Sequence, residues 1–182
     1  MQQESQSRLR LPVSDRDHRQ GPNDAPATLV EYGDYECPFC GEAYPIVKRV
    51  QQELGDDLQF VFRNFPLTTA HPHAEQAAEA AESAGAQGKF WEMHDALYEN
   101  QRDLSTEGLI RIAASVGIDK ETLIRDLSSR TFEDRVYEDF MSGVRSGVNG
   151  TPTFFINGIR YDGRGDFQSL VAVLRAAAGA NE

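Results

Sequence analysis

The chain's only two cysteines, Cys37 and Cys40, stand three positions apart in the run Tyr35-Glu36-Cys37-Pro38-Phe39-Cys40. The residues before them, Thr28 to Gly33, read as a strand, and those after them as an amphipathic helix opened by Pro38. The fixed φ of proline suits the first helical position, where no backbone donor is needed. The chain must therefore pass from strand to helix at the thiols, and the spacing puts both sulfurs on one side of the helix's first turn.

A structural staple explains this pair poorly. Closing so short a loop restricts the unfolded chain by less than the ~3 kcal/mol expected for a loop of about 15 residues. Chemistry explains it better, because Cys37 falls at the N-cap or next to it. There the unpaired backbone N–H groups and the positive end of the helix dipole favour a thiolate over a thiol. Cys37 is the expected nucleophile. Cys40, a turn deeper and less exposed, is the thiol expected to attack the mixed disulfide that Cys37 forms with a substrate.

With 182 residues and 40% hydrophobic content, the chain can bury an ordinary core as one domain, or as one domain carrying an insertion. A net charge of −11 argues against nucleic acid and anionic lipid, both of which attract stripes of Lys and Arg. No apolar run is long enough to cross a membrane, and Met1 to Gly21 lacks the hydrophobic centre of a signal peptide. The expectation is a cytoplasmic protein with no membrane insertion, in a compartment where thiols are kept reduced. A chain whose leader had been removed would read the same and belong to the periplasm.

Residues 1–24 are polar and broken by Pro12, Gly21 and Pro22, and read as an arm or linker in which His18 is solvated. In the strand Ala27 to Gly33, Glu31 is the discordant residue among Leu29, Val30 and Tyr32. If buried, its carboxyl should have a raised pKa and could exchange protons with Cys40. The alternative places Glu31 on an edge strand facing solvent. The helix from Pro38 runs to about Leu54, with a kink expected at Pro45 and a stop at Gly55. Leu58 to Asn64 reads as a second strand, parallel to the first through a right-handed crossover.

From about Ala74 to Gly147 the pattern is helical. Ala74, Ala77, Ala78, Ala81 and Ala84 form a narrow stripe with Glu75, Glu79 and Glu82 opposite. Phe90, Met93 and Leu97 form a buried line, and Ser105 and Asp119 are suitable N-caps. Thr131 with Asp134 resembles a capping box ahead of Phe132, Val136, Phe140 and Val144. Asn157-Gly158 is the preferred pair for a type I′ turn, so Thr153 to Ile156 and Ile159 to Asp162 should form a hairpin before a last helix from about Asp166 to Ala178. There is no internal repeat and no second catalytic cluster.

Cys37-Pro38-Phe39-Cys40 behind a strand, with Gly150-Thr151-Pro152-Thr153 ahead of a hairpin, resembles the DsbA-like branch of the thioredoxin superfamily. The segment from Gly21-Pro22 to Tyr32-Gly33-Asp34 resembles the soluble thioredoxin-like domain found alone or fused behind bacterial sodium/proton antiporters. The resemblance implies an α/β chain of thioredoxin fold, a mixed sheet with flanking helices. Residues 25–73 and 148–182 would form the thioredoxin-like domain and 74–147 an inserted helical subdomain. It further implies a cis bond between Thr151 and Pro152 beside the thiols, although Pro152 read alone would simply begin a strand in trans. A backbone edge there could take up an extended substrate peptide by strand addition, with Pro38 and Phe39 contributing to its binding. The family's acid six positions before the first cysteine falls on Glu31.

One departure matters. The most oxidising members of the family carry His next to the proline between the cysteines, and this chain has Phe39. An imidazolium would stabilise the Cys37 thiolate, and Phe39 cannot, while the neighbouring Glu36 opposes it. The disulfide is therefore expected to be less oxidising than that of the strongest oxidants.

The leading expectation is a thiol-disulfide oxidoreductase acting on protein or small-thiol disulfides and recycled by a thiol reductant or oxidant, with no cofactor and no metal. In the cytoplasm its direction would be reduction. A different class is a zinc module built on Cys37, Cys40, His71 and His73, whose His-Pro-His spacing is unusual for that purpose. A third is a non-catalytic redox-sensing or regulatory domain, such as a tail on a transporter. A glutathione transferase of the kappa type shares the fold, and the intact CxxC argues against it. The sequence names neither the substrate nor the oligomeric state.

Overall fold

The computed structural model describes residues 6–180. The first five residues of the N-terminal arm and the last two of the chain lie outside them. The elements in order are β1 His18–Gln20, β2 Ala27–Gly33, α1 Pro38–Leu54, β3 Leu58–Asn64, α2 Ala74–Ala86, α3 Phe90–Glu99, α4 Thr106–Ser115, α5 Lys120–Ser128, α6 Glu133–Arg145, β4 Thr153–Ile156, β5 Ile159–Tyr161 and α7 Phe167–Gly179. The strands form one mixed five-stranded sheet in the order β1-β3-β2-β4-β5. With its flanking helices this is a thioredoxin fold.

The described residues divide into two compact units. The first takes residues up to 32, 42–63 and from 142 onward, and so holds most of the sheet, the greater part of α1 and all of α7. Its antiparallel pairings put Val61 opposite Arg19, Glu31 opposite Phe154 and Phe155 opposite Arg160. All seven residues of β3 are buried, Gln59 and Arg63 included, because β1 and β2 flank it on either side. The hairpin turns at Asn157 and Gly158 with φ of 47° and 80°, the two left-handed residues that a type I′ turn demands. Asn157 also accepts the Thr28 N–H through its side chain at 2.8 Å.

The arm that the sequence reads as a linker carries β1, and the reason lies on β3. The Arg63 side chain is fully buried, and a buried guanidinium must place its five N–H donors. It donates to both carboxylate oxygens of Asp17 at 2.9 and 3.0 Å, to the carbonyls of Leu11 and Pro12, and to the Tyr32 hydroxyl. Tyr32 can then donate onward to the Ser142 hydroxyl at 2.8 Å. Burial pushes the Asp17 carboxyl up, but the Arg63 bond and charge outweigh it and hold the group below its ordinary value.

The second unit, residues 33–41 and 64–141, contains α2 to α5 and most of α6. Here α2 departs from the one-face stripe. It is buried from Ala77 to Ala84 without a break, so Glu79 and Glu82 are inside rather than on a solvated face. Alanines are small enough for helices to close in from several directions, which takes the intervening acids inside with them. Each acid is answered. Arg130 donates to both Glu79 oxygens at 3.0 and 3.1 Å, and Asn64 donates to Glu82 at 2.8 Å with Arg135 3.8 Å away.

Ser105 and Asp119 cap α4 and α5 as expected, accepting from Gly108 and Thr122. The capping box at Thr131 is not formed, because α6 starts at Glu133 and the Thr131 hydroxyl donates to Asp126 instead. The stripe Phe132, Val136, Phe140, Val144 also fails to stay inward. Each four-residue step turns about 40° past a full helical turn, so the last member is rotated by about 120°. Val136 is buried and Val144 is exposed.

Candidate active site

Strand β2 ends at Gly33, and the turn that follows is built on Asp34, which is 1% exposed. Its Oδ1 accepts the Glu36 N–H two residues on at 2.8 Å, the short-range bond by which an aspartate folds a turn on itself. Its Oδ2 accepts the Leu67 N–H at 2.9 Å and the His71 Nδ1–H at 2.8 Å. Its backbone carbonyl accepts the Cys37 N–H at 3.1 Å. The Cys37 carbonyl in turn accepts from Gly41 at 3.1 Å, the first bond of α1, so Cys37 occupies the N-cap with Pro38 as the first helical residue.

Further groups of the same unit hold this stretch. The Gln101 side-chain amide donates to the carbonyls of both Tyr35 and Cys37 at 2.9 Å. It lies so close over Gly41 that a Cβ there would clash with its Oε1, which accounts for the glycine one residue after the second thiol. The Tyr35 hydroxyl is 3.0 Å from Nδ1 of the buried His94, and its ring packs on Tyr98 with centroids 5.0 Å apart. Glu36 accepts the His73 N–H at 2.7 Å and its Nδ1–H at 2.9 Å.

Cys37 and Cys40 are not joined to each other as a disulfide. Cys37 is 3% exposed and Cys40 0%, whereas Pro38 and Phe39 between them stand in solvent, Phe39 at 68%. The motif thus shows its two apolar residues outward and covers its sulfurs. Burial would lower the pKa of His71, but the bond to Asp34, the Asp34 charge, and the negative charges of Cys37 and Glu36 together raise it.

Glu31, Thr151 and Pro152 belong to the sheet unit. Glu31 is 2% exposed on β2, which has β3 on one side and β4 on the other, so the solvent-facing edge position considered for it does not occur. The Thr151-Pro152 bond is cis, both residues are half-buried, and Thr153 donates from its hydroxyl to the Gly150 carbonyl at 2.7 Å. A pocket of about 240 Å³ opens beside Pro152, lined also by Phe154, Arg160, Tyr161 and Gly165.

Among the described residues no group of three or more His, Cys, Asp or Glu is arranged to hold a metal ion. The two histidines of the zinc reading are engaged instead on Asp34 and Glu36. Nor is any helix of the described residues long and apolar enough to cross a membrane. Sequence reasoning missed Asp34, Gln101 and His94. Asp34 carried a legible signal as a turn-forming residue just before the motif, but Gln101 and His94 come from distant stretches with no local mark.

A thioredoxin family model matches residues 14–176. Among curated relatives, the Na(+)/H(+) antiporter NhaA 1 of Salinispora arenicola (strain CNS-205) is 44% identical over 170 residues, which are 93% of this chain and 26% of the relative. The Na(+)/H(+) antiporter NhaA 1 of Mycolicibacterium vanbaalenii is 46% identical over 171 residues, 92% of this chain and 28% of the relative. The chain thus spans about a quarter of the length of these relatives. Among solved structures, oxidised BdbD from Bacillus subtilis is similar with a TM-score of 0.86 and 26% identity, covering 96% of this chain and 100% of that one. A thioredoxin-like oxidoreductase from Silicibacter pomeroyi DSS-3 is similar with a TM-score of 0.81 and 27% identity, covering 91% and 94%. Alpha-DsbA1 of Wolbachia pipientis shares the fold at 18% identity, with a TM-score of 0.80 and coverage of 95% and 96%. By this match the chain belongs to the thioredoxin family.

Proposed function

We propose that the chain is a thiol-disulfide oxidoreductase whose Cys37 exchanges disulfides with protein or small-thiol clients. The observation that carries the reading is the placing of Cys37 as N-cap of α1, directly behind the Asp34 turn. That is where backbone N–H groups and the helix dipole favour a thiolate.

In the reductive direction the Cys37 thiolate attacks one sulfur of a client disulfide. A bond forms between them, the client's S–S bond breaks, and one client sulfur leaves as a thiolate. Cys40 then gives up its proton, with Glu31 as the proposed acceptor, and attacks the Cys37 sulfur. The bond to the client breaks, the second client thiolate leaves and takes up a proton, and a Cys37–Cys40 disulfide remains. A thiol reductant restores the dithiol, and the oxidative direction runs the same steps in reverse. The pocket beside the half-buried Pro152 supports a role for Thr151 and Pro152 in holding an extended client, and the exposed Pro38 and Phe39 are proposed as further client contacts.

Insulin reduction and glutathione-coupled turnover test the proposal. Wild type should be active in at least one of them and Cys37→Ser in neither, and Cys40→Ala should accumulate a mixed disulfide through Cys37. Wild-type protein inert in both assays would refute catalysis.

A second reading is favoured by one observation, that relatives 44–46% identical carry the matching stretch as about a quarter of an antiporter. On that reading the domain senses redox state for a transporter. Reversible oxidation of Cys37 and Cys40 without turnover would mark it.

A further inference from the structure

We propose that His71, fixed on the buried carboxylate of Asp34, is a positioning residue that supplies the cation for the Cys37 thiolate, a charge that the residues between the cysteines do not carry. This deepens the oxidoreductase reading and rests on it for its significance, though not for its test.

Within the motif nothing positive is available. Pro38 and Phe39 are uncharged, and the two residues on its N-terminal side that bear charge, Asp34 and Glu36, are both anions. Asp34 lies three residues before Cys37 and is buried, so its charge is poorly screened by water. Left alone, these carboxylates would oppose ionisation of Cys37, because a like charge disfavours the charged form.

The loop between β3 and α2 answers both of them. His71 places Nδ1 2.8 Å from Asp34 Oδ2, and His73 places Nδ1 2.9 Å from Glu36 Oε1. In each case a backbone N–H of the same loop joins in, Leu67 on Asp34 and His73 on Glu36. Four bonds thus fasten this loop to the two acids that precede the nucleophile. The two imidazoles are not equivalent, since the His71 side chain is 19% exposed and that of His73 45%, so the field of His71 is the less screened.

The charge of Cys37 is among those that favour protonation of His71, and the interaction is mutual. A thiolate that favours the proton on His71 is itself favoured by the imidazolium. The charged and titratable groups around His71 are then Asp34, Glu36 and Cys37, with His73 on Glu36. A nucleophile whose local sequence lacks an imidazole receives one from a residue 34 positions away.

The test uses the reduced chain in a Cys40→Ala background, so that Cys37 alone titrates, with thiolate absorbance near 240 nm followed against pH. His71→Gln should reduce the thiolate fraction at a given pH about tenfold, the change equivalent to one pKa unit. His71→Lys, which keeps a cation on Asp34, should restore most of it. Superposable titrations of the parent and a folded His71→Gln variant would overturn the proposal. Should His71→Gln fail to fold, NMR titration of the histidines in folded Cys37→Ser decides. Loss of the thiolate should lower the His71 pKa relative to the parent, and an unchanged value would equally overturn the proposal. Neither readout requires turnover, so a protein that titrates as proposed but exchanges no disulfide would refute the oxidoreductase reading alone.

Discussion

Gln101 donates from one side-chain nitrogen to the backbone carbonyl of Cys37 at 2.9 Å, and by the same nitrogen to that of Tyr35. A residue from the loop between α3 and α4 thereby sets the backbone at the nucleophile. Each such bond is worth about 0.5–1.5 kcal/mol net. Gln101→Ala should lower stability by about 1–2 kcal/mol, read by urea denaturation, and slow disulfide exchange. Gly41→Ala should reproduce the loss in wild type, where the new Cβ meets Gln101, and should cost less in the Gln101→Ala background. Additive effects of the two substitutions would show that the contact is unimportant.

The Arg63–Asp17 pair predicts how the arm is bound. Both side chains are fully buried, so removing one partner leaves an uncompensated charge. Asp17→Ala should cost about 3–5 kcal/mol, measured by denaturant unfolding. The folded-state pKa of Asp17 lies below its ordinary 3.8, so its contribution is fully present above that value and is lost as pH falls through the folded-state value. Acid unfolding of wild type should therefore show a component that Asp17→Ala lacks.

His71 has the opposite sign. Its pKa rises on folding from 6.5, so the stabilisation from its contact with Asp34 is complete below 6.5 and is lost as pH climbs through the folded-state value above it. Stability of wild type relative to His71→Gln, measured from about pH 5 to 9, should shrink as pH rises. A gap that widens with pH would contradict the assignment.

The chain order of β2, α1, β3, the helical block, the hairpin and α7 was legible because each element carries its own periodicity and punctuation. Pro38, Asn157-Gly158, Ser105 and Asp119 all act locally, and local signals survive in sequence. Glu79 and Glu82 misled for the converse reason. A charged residue reads as solvated unless its partner is known, and here the partners lie 51 and 18 residues away. At the candidate site the two cysteines at the start of a helix were readable, whereas His71, whose partner Asp34 lies 37 residues away, was read only as a zinc ligand.

Phe39 gives a prediction about redox poise. It is 68% exposed and makes no charge available between the thiols, so Phe39→His should raise the reduction potential. For a two-electron couple about 30 mV accompanies each ~1.4 kcal/mol of added thiolate stabilisation, and a shift of that order is expected by equilibration with glutathione. Wild type should remain more reducing than the DsbA value of about −120 mV.

The ionisation of the Cys37 sulfur is read out by the pH dependence of its alkylation. In the reduced, folded protein treated with iodoacetamide and digested for mass spectrometry, Cys37 should react well ahead of the fully buried Cys40. Its rate should rise through an inflection clearly below the ordinary thiol value of about 8.5. Reaction with the inflection of a free thiol, or a Cys37 inert until the protein unfolds, would contradict the account.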